Sequence, residues 1–227
     1  MNLLALDTSA DACSVALSIN GEIKELFRIA PREHTHLVLP MIDELLSDAG
    51  INKSALDALA FAQGPGGFTG LRIAAGVAQG VALGLDLPLI RVSSLAALAQ
   101  GIVRQYKAGQ VLAAFDARMN EVYWGCYVAN DAGLVERQSE EQVCRPEQVF
   151  VPGNSGSVWC GAGSGWLEYT DPLQQRLGFE VSECYADAHP HACDVATLAL
   201  DKAARQEIDA ADQAIPVYLR NQVVHSR

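Results

Sequence analysis

The sequence predicts an α/β fold of two related lobes, each a mixed sheet covered by helices. Three observations carry the prediction. An antiparallel meander is followed by alternating helices and strands, an order that suits a mixed sheet with helices laid over it. The unit Leu3-Leu4-Ala5-Leu6-Asp7, four turn residues and a strand has a counterpart in Leu112-Ala113-Ala114-Phe115-Asp116, four turn residues and the segment 121–128, a sign of duplication. Half of the 227 residues are hydrophobic, which excludes disorder and supports a sizeable core.

Taken in order, residues 2–6 are an apolar run ending at Asp7 and read as a strand. Residues 13–19 and 22–29 continue the meander, joined by Asn20-Gly21, a pair that accepts the positive φ angles of a tight hairpin turn. Leu37, Met41, Ile42, Leu45 and Leu46 have helical spacing and predict a helix over about 36–49, with Pro40 near its first turn and Gly50 as a left-handed cap. Then come a short buried strand at 58–62, a glycine-rich loop at 64–70, a helix at 70–85, a strand at 89–92 and a helix from 94 to about 106. Segment 146–165, rich in Gly, Pro and Ser, reads as loops, and 195–206 as a closing helix. The expected division is a lobe over 1–103 and a degenerate lobe over 104–227, with the closing helix free to pack back on the first.

Composition narrows the function. Asp and Glu number 27 against 16 Lys and Arg, a formal charge of −11, so the surface repels a polyanion and any RNA should be held by another subunit. The six cysteines contain no CxxC pair and read as reduced thiols of a cytoplasmic protein. The N-terminus has no basic region like that of a signal peptide, and no uninterrupted stretch approaches membrane-spanning length.

The segment Gly64-Pro65-Gly66-Gly67-Phe68-Thr69-Gly70-Leu71-Arg72 runs from a strand into a helix. It brings backbone N–H groups, a hydroxyl and a guanidinium to a positive helix end, an arrangement able to hold phosphate. The alternative is a tight turn packed on the sheet, since no Lys-Ser or Lys-Thr follows as in a P-loop. Asp7-Thr8-Ser9, and Asp116 in the second lobe, stand where an actin-like kinase places a metal-orienting Asp, but neither turn has glycines for close approach to phosphate. His34 and His36, two apart, point to different sides of a strand or helix, and His189-Pro190-His191 reads as a loop, so neither pair is expected to bind metal, and no serine elbow or cysteine–base pair marks a hydrolase.

Residues 4–9, 64–73 and 116–123, with the tail Pro216-Val217-Tyr218-Leu219-Arg220, together resemble the TsaB (YeaZ) family of tRNA threonylcarbamoyladenosine biosynthesis proteins. The resemblance implies an actin-like (sugar kinase/Hsp70-type) fold and kinship with TsaD, the catalytic subunit. In TsaD an H-x-x-x-H metal motif follows the strand after the glycine-loop helix, and its places fall here on Ser94 and Leu98. Neither residue suits the metal, so the implied role is a pseudoenzyme with no catalytic, cofactor or metal residues of its own. It would pair with TsaD and, with the ATPase TsaE, serve the transfer of threonylcarbamoyl to N6 of the tRNA adenosine beside the anticodon. ATP and divalent metal would belong to those partners, and the isolated chain has a homodimer open to it. The rival readings are an ATP-dependent phosphotransferase, favoured by Asp7, Thr8, Asp116 and Gly161-Ala162-Gly163, and a peptidase acting on its partner.

The helix 70–85 carries only Arg72 and Gln79 as polar residues, so it should be buried on more than one side. Ile73, Val77 and Val81 form a ridge suited to its own sheet. Arg72, Gly76, Gln79, Gly80 and Leu83 fall on a second stripe, assigned with Leu37, Met41 and Leu45 to the partner interface.

Overall fold

The computed structural model describes residues 1–153, 158–213 and 215–220. Its helices are α1 (His34–Asp48), α2 (Phe68–Leu85), α3 (Ser94–Tyr106), α4 (Ser164–Leu177) and α5 (Ala192–Ala204). The chain forms two compact units, Met1–Ala97 with His189–Pro216, and Leu98–Ala188 with the residues from Val217. The boundary lies inside α3, six residues before the expected 103/104 division, and the chain returns to the first unit at His189, so that the closing helix lies with that unit. Burial explains the return, because Ala192, Val195, Ala196 and Ala199 of α5 are sealed from solvent.

In the first unit, β1 (Leu3–Asp7), β2 (Ala12–Ile19), β3 (Glu22–Ile29), β4 (Ala58–Gly64) and β5 (Leu89–Ser93) lie in the order β3-β2-β1-β4-β5. The meander is antiparallel, while β4 and β5 run parallel to β1. Asn20 and Gly21 take φ of 52° and 85°, the left-handed pair a two-residue hairpin needs. Leu4, Leu6, Val15 and Phe61 share one core with Met41, Ile42 and Leu45 of α1 and with Ala74, Ala78 and Ala82 of α2. Leu3, Ala5 and Ala60, of opposite parity and equally buried, lie outside that core, and α5 packs on their strands. A sheet covered on both faces needs strands apolar at every position, and β1 is buried along its whole length.

The second unit holds β6 (Gln110–Arg118), β7 (Glu121–Ala129), β8 (Val135–Arg137), β9 (Gln142–Cys144), β10 (Cys160–Ala162) and β11 (Glu183–Tyr185), ordered β11-β10-β6-β7-β8 with β9 also on β7. Strand β6 pairs antiparallel with β7 and parallel with β10. That repeats β1 with β2 and β4, and makes the whole the duplicated α/β arrangement of actin-like folds. Its core centres on Trp124 and Trp166, whose indole N–H groups donate to the carbonyls of Phe150 and Leu112 at 3.0 and 2.8 Å. The span 146–165, expected to be loops, contributes β10 and the first residues of α4.

Candidate functional site

The β1 turn and the glycine-rich loop form one packed structure. Thr8 Oγ1 donates to the Gly70 carbonyl at 2.7 Å, and the Gly67 N–H donates to the Ser9 carbonyl at 2.7 Å. A Cβ on Gly66 or Gly70 would fall inside the contact distance of the Ser9 or Thr8 carbonyl oxygen. These glycines therefore let two backbones touch, and a protein carbonyl rather than an open cradle meets the Gly67 N–H. Arg72, the third component of the phosphate reading, lies with its guanidinium 3.8 Å over the Phe68 ring.

Asp7 is fully buried, and its Oδ1 accepts the Ser9 N–H at 3.0 Å while the Ser9 hydroxyl sits 3.0–3.1 Å from both carboxyl oxygens. Burial raises its pKa to about 7 despite these hydrogen bonds. An acid whose folded pKa lies above its unfolded value of 3.8 contributes stability that is complete below about pH 4 and lost as pH rises through 7. The difference is on the order of 4 kcal/mol. Asp7→Asn, which keeps an acceptor for the Ser9 N–H but carries no charge, is therefore expected to melt above wild type at pH 8, with the advantage shrinking or reversing at pH 5. Thermal unfolding at both values checks it, and a difference independent of pH would refute the buried-charge account.

Asp116 repeats the arrangement in the second unit. Its Oδ1 accepts the Arg118 N–H at 2.7 Å, the same i+2 bond that Asp7 makes with Ser9, and its N–H donates to Ser164 Oγ at 3.1 Å. Arg118, Met119 and Asn120 all lie near φ +60°, held further by Arg220, which bonds Glu121 and the Arg118 carbonyl. Gly161 and Gly163, the glycines of the phosphotransferase reading, sit where a Cβ would strike the Trp166 ring and the Ala114 carbonyl, so packing accounts for them.

Ser94 opens α3 and Leu98 follows one turn later, and both are fully buried. Ser94 Oγ has no hydrogen-bond partner among the described residues. His34 starts α1, with Nε2 3.2 Å from the Ala12 carbonyl, a tie between helix and strand. Burial pushes the Cys13 thiol up to about 11 and the Cys126 thiol up to about 12, leaving neither as a nucleophile at neutral pH.

The assigned interface residues separate into two groups. Met41 and Leu45 lie in the first unit's own core, and Leu37 is half-buried against it, so the first two are unavailable to a partner. The exposed apolar residues of α1 are Leu39 and Pro40. On α2 the inward stripe is Leu71, Ala74, Ala75, Ala78 and Ala82, while Ile73, Val77 and Val81, expected to form it, are half-buried on its flanks. Small side chains let the helix lie close on β4. Arg72, Gly76, Gly80 and Leu83 are exposed, Gln79 is half-buried, and Phe68 and Gly84 are exposed beside them. Leu83 is 64% exposed, and among the described residues a Cβ on Gly76, Gly80 or Gly84 would meet nothing within 4 Å. Beside Leu83 a cleft of about 440 Å³ opens, lined also by Asp86, Ile208 and Asp212. By length and composition α2 would suffice to cross a membrane, contrary to expectation, but it bridges β4 and β5 of one sheet with its alanine stripe in the core.

The structure also joins residues that sequence reasoning left apart. Glu25 of β3, His191 and Cys193 converge at the start of α5. His191 Nδ1 lies 2.9 Å from Glu25 Oε2, and the Cys193 N–H donates to Glu25 Oε1 at 3.0 Å. Burial alone would raise the Glu25 pKa, but the bonds from His191 and Cys193 outweigh it and hold the carboxyl below its usual range. The sequence offered no signal, because β3 and α5 are far apart in the chain.

Known proteins resemble the chain along nearly its full length. Residues 27–225 match the family model for TsaD, tRNA N6-adenosine threonylcarbamoyltransferase. The tRNA threonylcarbamoyladenosine biosynthesis protein TsaB of Escherichia coli (strain K12) is 42% identical, the match covering 98% of this chain and 96% of that protein. TsaB of Haemophilus influenzae is also 42% identical, over 98% of this chain and 95% of its own length. A structure of YeaZ from Pseudomonas aeruginosa, 47% identical, matches with a TM-score of 0.90 over 96% of this chain and 99% of its own. Sequence and fold both match over nearly the full length, and the chain belongs to the TsaB (YeaZ) family of tRNA threonylcarbamoyladenosine biosynthesis proteins.

Proposed function

We propose that the chain is the non-catalytic partner of a TsaD-type transferase, acting with a TsaE-type ATPase in the cytoplasm to modify N6 of the tRNA adenosine beside the anticodon. The observation that carries this is Ser94 and Leu98. They stand at the ligand places implied by the catalytic relatives, on a buried helix start that offers a hydroxyl and an aliphatic group. Metal-assisted transfer needs nitrogen or carboxylate ligands there. ATP and the catalytic metal then belong to the partners, and a charge of −11 leaves the tRNA to them as well.

The contact surface is the exposed stripe of α2, Arg72, Gly76, Gly80 and Leu83 with the edge of Gln79, joined by Leu37 where α1 leaves it half-exposed. Gly76, Gly80 and Gly84 cost about 1 kcal/mol each relative to Ala in a helix interior, and no neighbour among the described residues comes within 4 Å of where their Cβ atoms would lie. Close packing of a second helix is a reason for them, either from the TsaD-type subunit or, in the isolated protein, from a second copy. The phosphotransferase alternative loses support because Asp7 is sealed by Ser9 and the glycines pack against protein atoms, Gly161 on the Trp166 ring and Gly163 on the Ala114 carbonyl. Cysteine chemistry of a peptidase gains none from the raised thiols of Cys13 and Cys126.

Depleting the protein from its cell should lower threonylcarbamoyladenosine in bulk tRNA several-fold, measured by mass spectrometry of the nucleosides. An unchanged level would overturn the assignment.

A further inference from the structure

We propose that Glu25, His191 and Cys193 form a zinc site that clasps the start of α5 to the edge strand β3. The site is separate from the α2 stripe and independent of the partner role. It also departs from the expectation that the chain holds no metal of its own.

Topology brings the donors together. Strand β3 is the outer strand of the first sheet, and Glu25 and Phe27, two apart, project from the same face of it. His191 is the N-cap residue of α5 and Cys193 lies in its first turn. The His191 ring stacks on Phe27 with centroids 4.2 Å apart and planes within 13°, which sets the direction of its nitrogens. The Ala192 N–H donates to Ser14 Oγ at 2.9 Å, fixing the helix start between the two ligands it supplies. Packing and hydrogen bonds that orient metal ligands in this way are a usual part of such sites.

The donor set is one imidazole nitrogen, one carboxylate oxygen and one thiol sulfur, all within 4.8 Å of one another. Around a tetrahedral zinc ion, with bonds of about 2.0–2.3 Å, such atoms stand roughly 3.3–3.7 Å apart. Side-chain adjustment of about 1 Å or less reaches that geometry. Sulfur selects against magnesium and calcium, which take oxygen, and favours zinc. The His191 and Glu25 side chains remain 21% and 17% exposed, so a water can complete the fourth position. On binding, Zn²⁺ takes the place of the Cys193 thiol proton and of any proton on the coordinating His191 nitrogen, and these pass to solvent. The ion replaces the hydrogen bonds that now join the three residues, and it ties the returning segment to a strand at the far end of the chain.

The test uses the full chain, stripped with chelator and dialysed against zinc, with metal measured by plasma mass spectrometry. Wild type should retain one zinc per chain, and its melting temperature should rise by roughly 5–10 °C at a hundredfold excess over the Kd. Cys193→Ser and Glu25→Gln should lose both effects. Cobalt in place of zinc should give a thiolate-to-metal charge-transfer band, which needs no variant to be informative. The proposal fails if wild type retains no zinc or shows no thiolate band. It fails equally if the band persists in Cys193→Ser, which would assign it to another thiol such as the exposed Cys184.

Discussion

Gly80→Arg is expected to weaken association with the TsaD-type subunit by about a hundredfold or more while leaving the isolated chain at least as stable as wild type. Gly80 is exposed in the interior of α2, and a Cβ there meets nothing within 4 Å among the described residues. Its backbone is helical and without strain, so replacing glycine gains up to about 0.8 kcal/mol of helix propensity. At a helix-helix contact the same change places a long charged side chain where hydrogen allowed close approach. Losses above about 2.7 kcal/mol, typical of disrupted contact centres, correspond to the hundredfold weakening. Titration calorimetry or co-elution with the TsaD-type subunit reads the first effect, and a melt of the isolated chain reads the second. A variant that binds as wild type does, or that unfolds or aggregates alone, would remove α2 from the interface.

Gly70→Ala, ten residues earlier in the same helix, is expected to destabilise the chain by about 3 kcal/mol or more, although it adds a single methyl group. Gly70 is buried, and its Cβ would overlap the Thr8 carbonyl oxygen, a backbone atom at the end of a strand paired on both sides. No flexible side chain can yield. The Thr8 hydroxyl bond to the Gly70 carbonyl would be pushed apart by the same shift. For a chain of this size the melting temperature should fall by about 6–12 °C, with loss of soluble yield as a coarser sign. A melt within two degrees of wild type would mean that the loop and the β1 turn do not touch as described. The two substitutions reverse the usual order of severity, because space at a glycine decides the cost and not the size of the newcomer.

The meander was legible because its cues are local. The strand segments β2 and β3 and the Asn20-Gly21 turn lie within one short stretch, and the spacing of Met41, Leu45 and Leu46 marks α1. Strands β8, β9, β10 and β11 were not legible, since three-residue strands have no measurable period and are held by partners remote in sequence. Helix α4 was hidden for another reason. It carries Gly165 and Pro172, departs from helical angles at Tyr169, and is held by Trp166 and Leu173 in the second core. Local propensity argues against such a segment, and tertiary packing prevails. The Glu25, His191 and Cys193 cluster depends wholly on the return of the chain to the first unit, which placed an apparent loop histidine against β3.

By itself the sequence determined the fold class, the two Asp turns, the family and the lack of metal ligands at Ser94 and Leu98. All of these rest on residue identities at short spacing. Tertiary structure alone decided which side of α2 faces inward. Ile73, Val77 and Val81 are the more hydrophobic ridge, yet Ala74, Ala75, Ala78 and Ala82 meet the sheet. A helix apolar nearly all round has a period but no readable phase. The phase is set by how close α2 must lie to β4 once Gly70 rests on the Thr8 carbonyl, and at that distance alanine fits where isoleucine and valine do not.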